Sequence, residues 1–397
     1  MKSIHSATAF VLLWLTSIGG RAALSIPGGD GSDGALNVTT STMIDLGLAV
    51  TGAWDASNSA NAGKGVYDLA KWAVVFKYSS VNIAAGATVT FKNHPTHAPV
   101  VWLVSGNVTN GGTLNLSGAN GGAGTAGPPE GGPGGFRGGA RDQPGLSFSG
   151  GFGPGGTNSD DGEYGSGQSR SYGNAELVPL IGGSGGGSLG YGLSGGGGGG
   201  AVLIAASGTI FLTGTNAINA SGGVRAVGFG GAGSTSGSGG AIRLVADQIL
   251  GTGRIDATGG NAGRIRLEAN VVSQLLNVSP STPAVSPDPV VLWPPANAPT
   301  VRVVSVSGQT ASSDPRAILE NNPADVTMAS ATPVTILLET QNFPTNGTVN
   351  VFVKPRHGSQ SNYVAAFVSG TTNFATWQVQ RGILSGYSAV QARAVAP

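Results

Sequence analysis

The chain contains no cysteine. Disulfide stapling, thiolate catalysis and thiolate metal sites are therefore excluded. Charge is scarce too: Asp, Glu, Lys and Arg make up 10% of the 397 residues, and the formal net charge is +1. That leaves no basic footprint for nucleic acid and no patch for an anionic membrane surface. Aromatic residues account for only 6%. Glycine fills the space, at 70 residues, against an ordinary share of about 7%.

The most informative stretch is Gly200-Ala-Val-Leu-Ile-Ala-Ala206, because it recurs. Gly240-Ala-Ile-Arg-Leu-Val-Ala246 and Gly263-Arg-Ile-Arg-Leu-Glu-Ala269 repeat it, and Ala98-Pro-Val-Val-Trp-Leu-Val104 is a looser copy. Apolar residues alternate within each copy, as in a strand with one buried face. The positions between them carry the charges, in columns such as Leu203, Arg243, Arg266 and Ala205, Val245, Glu268. This predicts a solvated outer face. A second strand follows in Thr113–Gly118, Ala217–Gly222 and Arg254–Gly259, with Leu114, Ile218 and Ile255 inward. Ile242 to Ile265 is 265 − 242 = 23 residues. Self-similar strands at such a period, with no amphipathic helix, predict a stacked parallel β-helix. A β-propeller would need four strands per blade.

The N-terminus reads as a signal peptide over residues 1–22. Lys2 supplies the positive charge, Ala7 to Ile18 the apolar run, and Gly20 and Ala22 the small residues before cleavage near Ala22–Ala23. The run is too short for the roughly 18–20 residues of a spanning helix, and no later segment is apolar enough. The expected address is therefore outside the cell or on its surface, in a bacterium, with no transmembrane segment after cleavage.

Residues 23–276 form the expected β-helix domain, with Gly-rich insertions at about 118–200 and 221–240. Their composition cannot bury an apolar core. Three forms remain open: a flexible loop, an ordered side insertion, or polyglycine strands packed side by side in polyproline-II geometry. Matches to dinucleotide-loop spacing here follow from composition alone, without a strand-then-helix context. Gly28-Gly-Asp-Gly-Ser-Asp33 matches a calcium-binding nonapeptide once, so Asp30 and Asp33 are either Ca²⁺ ligands or part of a capping turn. Asp160, Asp161 and Glu163 are a second acidic cluster, either a cation site or a solvated loop. His94 and His97 flank Pro95, which suits a turn better than a metal pair.

Asn277 to Pro299 reads as a Pro-rich spacer. Residues 300–397 carry six short strand patterns punctuated by turns, as expected of a small antiparallel, Ig-like β-sandwich.

The windings and Gly-rich insertions resemble secreted glycine-rich right-handed β-helix proteins of Gram-negative bacteria, and more loosely autotransporter passengers and pectin-lyase-like β-helices. Gly29-Asp-Gly-Ser-Asp-Gly34 and the insertion are also similar to some phage and bacterial surface adhesins. The likeness spans about residues 28–275 and brings no catalytic motif. It implies a non-enzymatic surface, matrix or adhesion role, with extracellular glycans or cell-surface components as partners. The alternative is a polysaccharide-binding or polysaccharide-processing β-helix. Its candidate residues are Arg243, Arg254, Asp256, Arg264, Arg266 and Glu268. Glycoside hydrolysis would require two carboxylates about 5–9.5 Å apart, and Asp256 and Glu268 belong to different strands.

Overall fold

A computed structural model describes residues 23–51, 63–122, 127–139, 151, 153, 172–188, 193–227, 234–312, 325–328, 333–355, 361–382 and 388–397. The sequence repeats are windings of a parallel β-helix, each with three short strands separated by bends. Ala241–Val245, Gln248–Gly251 and Arg254–Asp256 form one winding; Arg264–Glu268, Val271–Val272 and Asn277–Ser279 form the next. Ile242 pairs with Ile265, Leu244 with Leu267, and Ile255 with Val278. The 23-residue period (265 − 242) is therefore one turn of the solenoid.

Longer steps are single turns too. Val202 pairs directly with Ile242, 242 − 202 = 40 residues on, and with Val100, 202 − 100 = 102 residues back. The surplus residues leave the stack between its third and first faces. Near the N-terminus, Ala73–Ile83 bends to serve two faces, pairing Val74 with Val100 and Val81 with Val108. Gly34–Val38 and Thr42–Asp45 add a part winding beyond it.

Alternation places one apolar column per face in a shared interior. Val74, Val100, Val202, Ile242 and Ile265 form one column; Leu114, Ile218 and Ile255 belong to another. Each side chain shields the one above it, so a single winding could not keep its interior dry alone. The N-terminal windings hold the large rings. Phe76 stacks on Tyr78 at 5.5 Å, and Tyr78 meets Trp102 edge-on at 5.7 Å. His94 and His97 lie in a turn closed by His97 N–H donating to the His94 carbonyl (2.7 Å).

The expected solvated outer face is corrected on the first face. Val101, Leu103, Leu203, Ala205 and Val245 point outward there, yet all are buried. Ile26, Leu177, Leu180 and Leu292 cover them as a second apolar layer. Chain from distant segments folds back over the sheet because those outward residues are themselves mostly aliphatic.

The described parts of the Gly-rich insertions form an ordered array of extended strands beside the third face. Residues 194–200 run through its middle. Gly195 and Gly198 donate to the Gly139 and Phe136 carbonyls, Gly196 and Gly199 to Thr235 and Ser238, and Gly197 and Gly200 to Ala119 and Leu116. Donors three residues apart thus reach the same neighbouring strand. That is the three-residue repeat of polyproline-II geometry, and of the three forms left open above it is the packed-strand one. Hydrogen bonds radiate in three directions, so the backbone amides are satisfied without a sheet. A Cβ on Gly198 would lie 1.8 Å from the Gly183 carbonyl oxygen, and one on Gly240 would lie 1.8 Å from that of Gly200. Only glycine permits this approach.

The first part of the expected spacer belongs to the solenoid. Asn277–Ser279 completes a winding, Ala284–Val285 pairs with Leu267 and Glu268, and Leu292 is buried on the first face. Apolar contact at Val278 and Leu292 outweighs the extended preference of the prolines between them. Beyond it, Thr300–Val306 begins a two-sheet antiparallel unit. Gln309–Thr310, Thr300–Val306, Val334–Gln341, Phe374–Arg381 and Ala366–Gly370 form one sheet; Ser361–Val364, Thr348–Pro355 and Ser388–Val395 form the other. Val306, Ile336, Leu338, Val349, Val351 and Trp377 fill the core between them. Ser361–Val364 and Ala366–Gly370 are consecutive yet lie one in each sheet, with buried Ala365 at the crossing.

Candidate functional site

The six charged candidates fall on two separate faces. Arg243, Arg264, Arg266 and Glu268 lie on the first face, Arg254 and Asp256 on the third. Arg243 and Glu268 are buried, with 4% and 5% of their side chains exposed. Arg243 Nε donates to Glu268 Oε1 at 2.7 Å, and its terminal nitrogens donate to the carbonyls of Val291 (2.6 Å) and Leu292 (3.3 Å). Arg266 Nε reaches the same Glu268 oxygen at 2.6 Å. A carboxylate therefore stands between the two stacked guanidiniums. Arg243 ties the covering segment to the sheet.

On the third face, Arg254 Nη2 donates to Asp256 Oδ2 (2.7 Å), while Asp256 Oδ1 accepts from Thr258 N–H (2.9 Å). Asn115 and Asn219 use the same device, accepting from the N–H groups of Ser117 and Ser221 at 3.0 Å. The outward Asn, Asn, Asp column thus turns the chain into the glycine array at each winding. Arg264 is half-buried beside Tyr172. Burial pushes the Tyr172 hydroxyl up to about 12, against the opposing hydrogen bond from Ser184 and the charge of Arg264. None of these charges forms a paired-carboxylate constellation with an open floor.

Asp30 and Asp33 adjoin Lys77. Asp30 Oδ1 accepts from Ser32 N–H (3.0 Å) and Ser32 Oγ (2.5 Å), and Oδ2 from Lys77 Nζ (2.9 Å). Partial burial works to raise the Asp30 carboxyl, but the Ser32 and Lys77 hydrogen bonds outweigh it and hold the group below its ordinary value. Asp33 accepts from Gly63 N–H (2.7 Å) and Lys77 N–H (2.6 Å), and burial raises its carboxyl. All four oxygens have protein donors and an ammonium sits beside them. Among the described residues no group of three metal-ligating side chains converges. Asp160, Asp161 and Glu163 lie outside the described residues. A melting experiment with Ca²⁺ and with a chelator should give the same midpoint; a rise with Ca²⁺ would restore the calcium reading.

A groove of about 310 Å³ opens where the third face meets the array. Thr90, Phe91 and Asn93 form one side, Asn115 to Ala119 the floor, and Glu130 to Pro133 the other side. Asn93 Nδ2 donates to the Gly131 carbonyl (2.9 Å), tying the two sides together. Glu130 is ion-paired with Arg137. Sequence reasoning missed this groove. Its one signal was the outward position of Asn115; the opposite side comes from a glycine-rich segment without periodicity.

No known protein family, curated protein or solved structure matches the chain. Among the described residues no helix is long and apolar enough to cross a membrane.

Proposed function

We propose that this protein is a non-enzymatic component of the bacterial surface or extracellular matrix, exported by way of residues 1–22. The observation that carries the proposal is the fate of the charged columns. Arg243, Arg266 and Glu268 clamp a covering segment, and Arg254 and Asp256 brace a turn, so these charges serve the fold. The glycine array adds a slab whose backbone is held by its own hydrogen bonds. Such a slab suits presentation and spacing better than it suits chemistry. The Ig-like character expected of the C-terminal sandwich fits the same role.

The test has two arms. An epitope-tagged chain expressed in a Gram-negative host should be recovered outside the cytoplasm, with Ala23 as its new N-terminus by mass spectrometry. Purified protein should leave a panel of polysaccharides at full length. Cytoplasmic retention would overturn the address. Depolymerisation that disappears in Asp256→Ala or Glu268→Ala would overturn the non-enzymatic reading.

A further inference from the structure

We infer that one flank of the C-terminal sandwich docks a second copy of this chain, strand to strand along residues 361–370, about a twofold axis. The inference stands on the sandwich alone and is independent of the surface reading.

Ser361–Val364 ends the three-stranded sheet, and Ala366–Gly370 ends the five-stranded one. Among the described residues each pairs on one side only, the first with Thr348–Pro355 and the second with Phe374–Arg381. The other side of such a strand presents a row of amides and carbonyls, which natural sheets guard with charge, proline, bulges or a covering element. Residues 361–376 contain no Asp, Glu, Lys, Arg or His, and no proline. A bulge between Phe367 and Ser369 is present, yet all five residues of Ala366–Gly370 stay exposed.

Apolar side chains gather on this flank: Val364, Phe367, Val368 and Phe374 are all exposed. Phe367 is the most telling. It pairs in register with Trp377, so it takes the core side of its sheet, and its ring meets Trp377 edge-on at 5.3 Å. It is nonetheless 45% exposed. The chain crosses between sheets at Ala365, and no described element closes the core over that ring.

Charge selects the occupant. A charged strand finds no counter-charge along residues 361–376, whereas the edge's own copy is neutral and carries the same apolar side chains. Like charges directly opposed across a strand pair destabilise it; this edge has none to oppose. Arg381 lies over the Tyr363 ring at 5.7 Å, past the Ala366 end of the strand and clear of the axis. Antiparallel pairing of a strand with its own copy is isologous, so every contact occurs twice. Centred on Val368, it sets that residue opposite itself and covers the Phe367 ring. One such edge falls short of the roughly 800 Å² per partner of a standard interface. The dimer is therefore weak, half-formed at about 10–100 μM.

The experiment uses the full chain. Sedimentation equilibrium up to about 500 μM should fit a reversible monomer–dimer system. Val368→Lys sets two ammonium groups across the axis and should weaken dimerisation at least about tenfold. Its melting midpoint should not move, since the site is exposed. Val395→Lys, on the strand at the far end of the three-stranded sheet, should dimerise like the parent. The lack of cysteine supplies a second readout. In Val368→Cys the new thiol has no other thiol in its own chain, so a disulfide must join two copies. Opposed residues of an antiparallel pair lie about 4.5–5.5 Å apart at Cα, within disulfide reach. Oxidation should therefore cross-link Val368→Cys at least about tenfold faster than Val395→Cys. If Val368→Lys lowers the midpoint, the cross-linking rates decide. A chain monomeric throughout, open-ended oligomers, association unchanged by Val368→Lys, or cross-linking no faster at residue 368 than at 395 would each overturn the inference.

Discussion

Gly198→Ala should lower the unfolding free energy by about 3 kcal/mol and the melting midpoint by roughly 6 °C or more. Alanine's extra methyl would sit 1.8 Å from the Gly183 carbonyl oxygen and 2.4 Å from its carbon. Backbone cannot rotate aside as a side chain can, so the two strands must separate. Gly198 also donates to the Phe136 carbonyl (2.8 Å) and accepts from Gly132 N–H (2.9 Å). Separation weakens both bonds, at about 1 kcal/mol each, on top of an overpacking cost of about 1–3 kcal/mol. Alanine restricts the unfolded chain and returns only about 0.4–1 kcal/mol.

Gly122→Ala is the matched control. No atom of the described residues lies within 4 Å of a Cβ built there, and the residue is not in the left-handed region. The entropic gain should act alone, leaving the midpoint unchanged or slightly higher. Thermal unfolding of both variants beside the parent decides the matter. Equal midpoints for Gly198→Ala and the parent would mean that residues 194–200 are not held between strands.

The two variants also show where sequence could and could not speak. The winding columns were legible because their side chains alternate: Ile242 and Ile265 announce their register 23 residues apart (265 − 242) and pair as expected. In the array no side chain reports the period. The three-residue rhythm of residues 195–200 exists only in where each N–H points, and six identical residues cannot display it. Composition argued against an apolar core in the insertion, yet Leu177 and Leu180 from it join the buried apolar layer over the first face. It was silent on a core of backbone, in which close approach and hydrogen bonding replace side-chain packing.

The charged columns failed differently. Arg243 and Glu268 occupy outward positions, as alternation requires, but outward did not mean wet. Leu292 arrives from a segment that reads as a spacer and seals that face. Periodicity states which side of a strand a residue takes; tertiary structure decides what lies there. The groove was hidden for the same reason. Thr90, Asn115 and Glu130 come from separate stretches, and the third belongs to the segment with no readable pattern.

Glu268→Ala should cost about 3–5 kcal/mol, because it leaves a buried guanidinium without its counter-charge. Arg243, 4% exposed, would keep only the carbonyls of Val291 and Leu292. Arg266, 25% exposed, can turn toward water and contributes less. The loss should appear in urea unfolding, and limited proteolysis should then cut near residues 288–293, since Arg243 anchors that segment. Removing both charges separates the two accounts of this site. When a buried pair is replaced by apolar groups of similar volume, the desolvation cost disappears along with the attraction. Arg243→Met with Glu268→Leu should therefore recover at least half of the single-variant loss, giving a large coupling energy in the double-mutant cycle. A double variant no more stable than Glu268→Ala would instead make the Arg243 bonds to Val291 and Leu292 the dominant contribution. A single variant as stable as the parent would mean that water reaches Arg243, and with it that the first face is open to solvent.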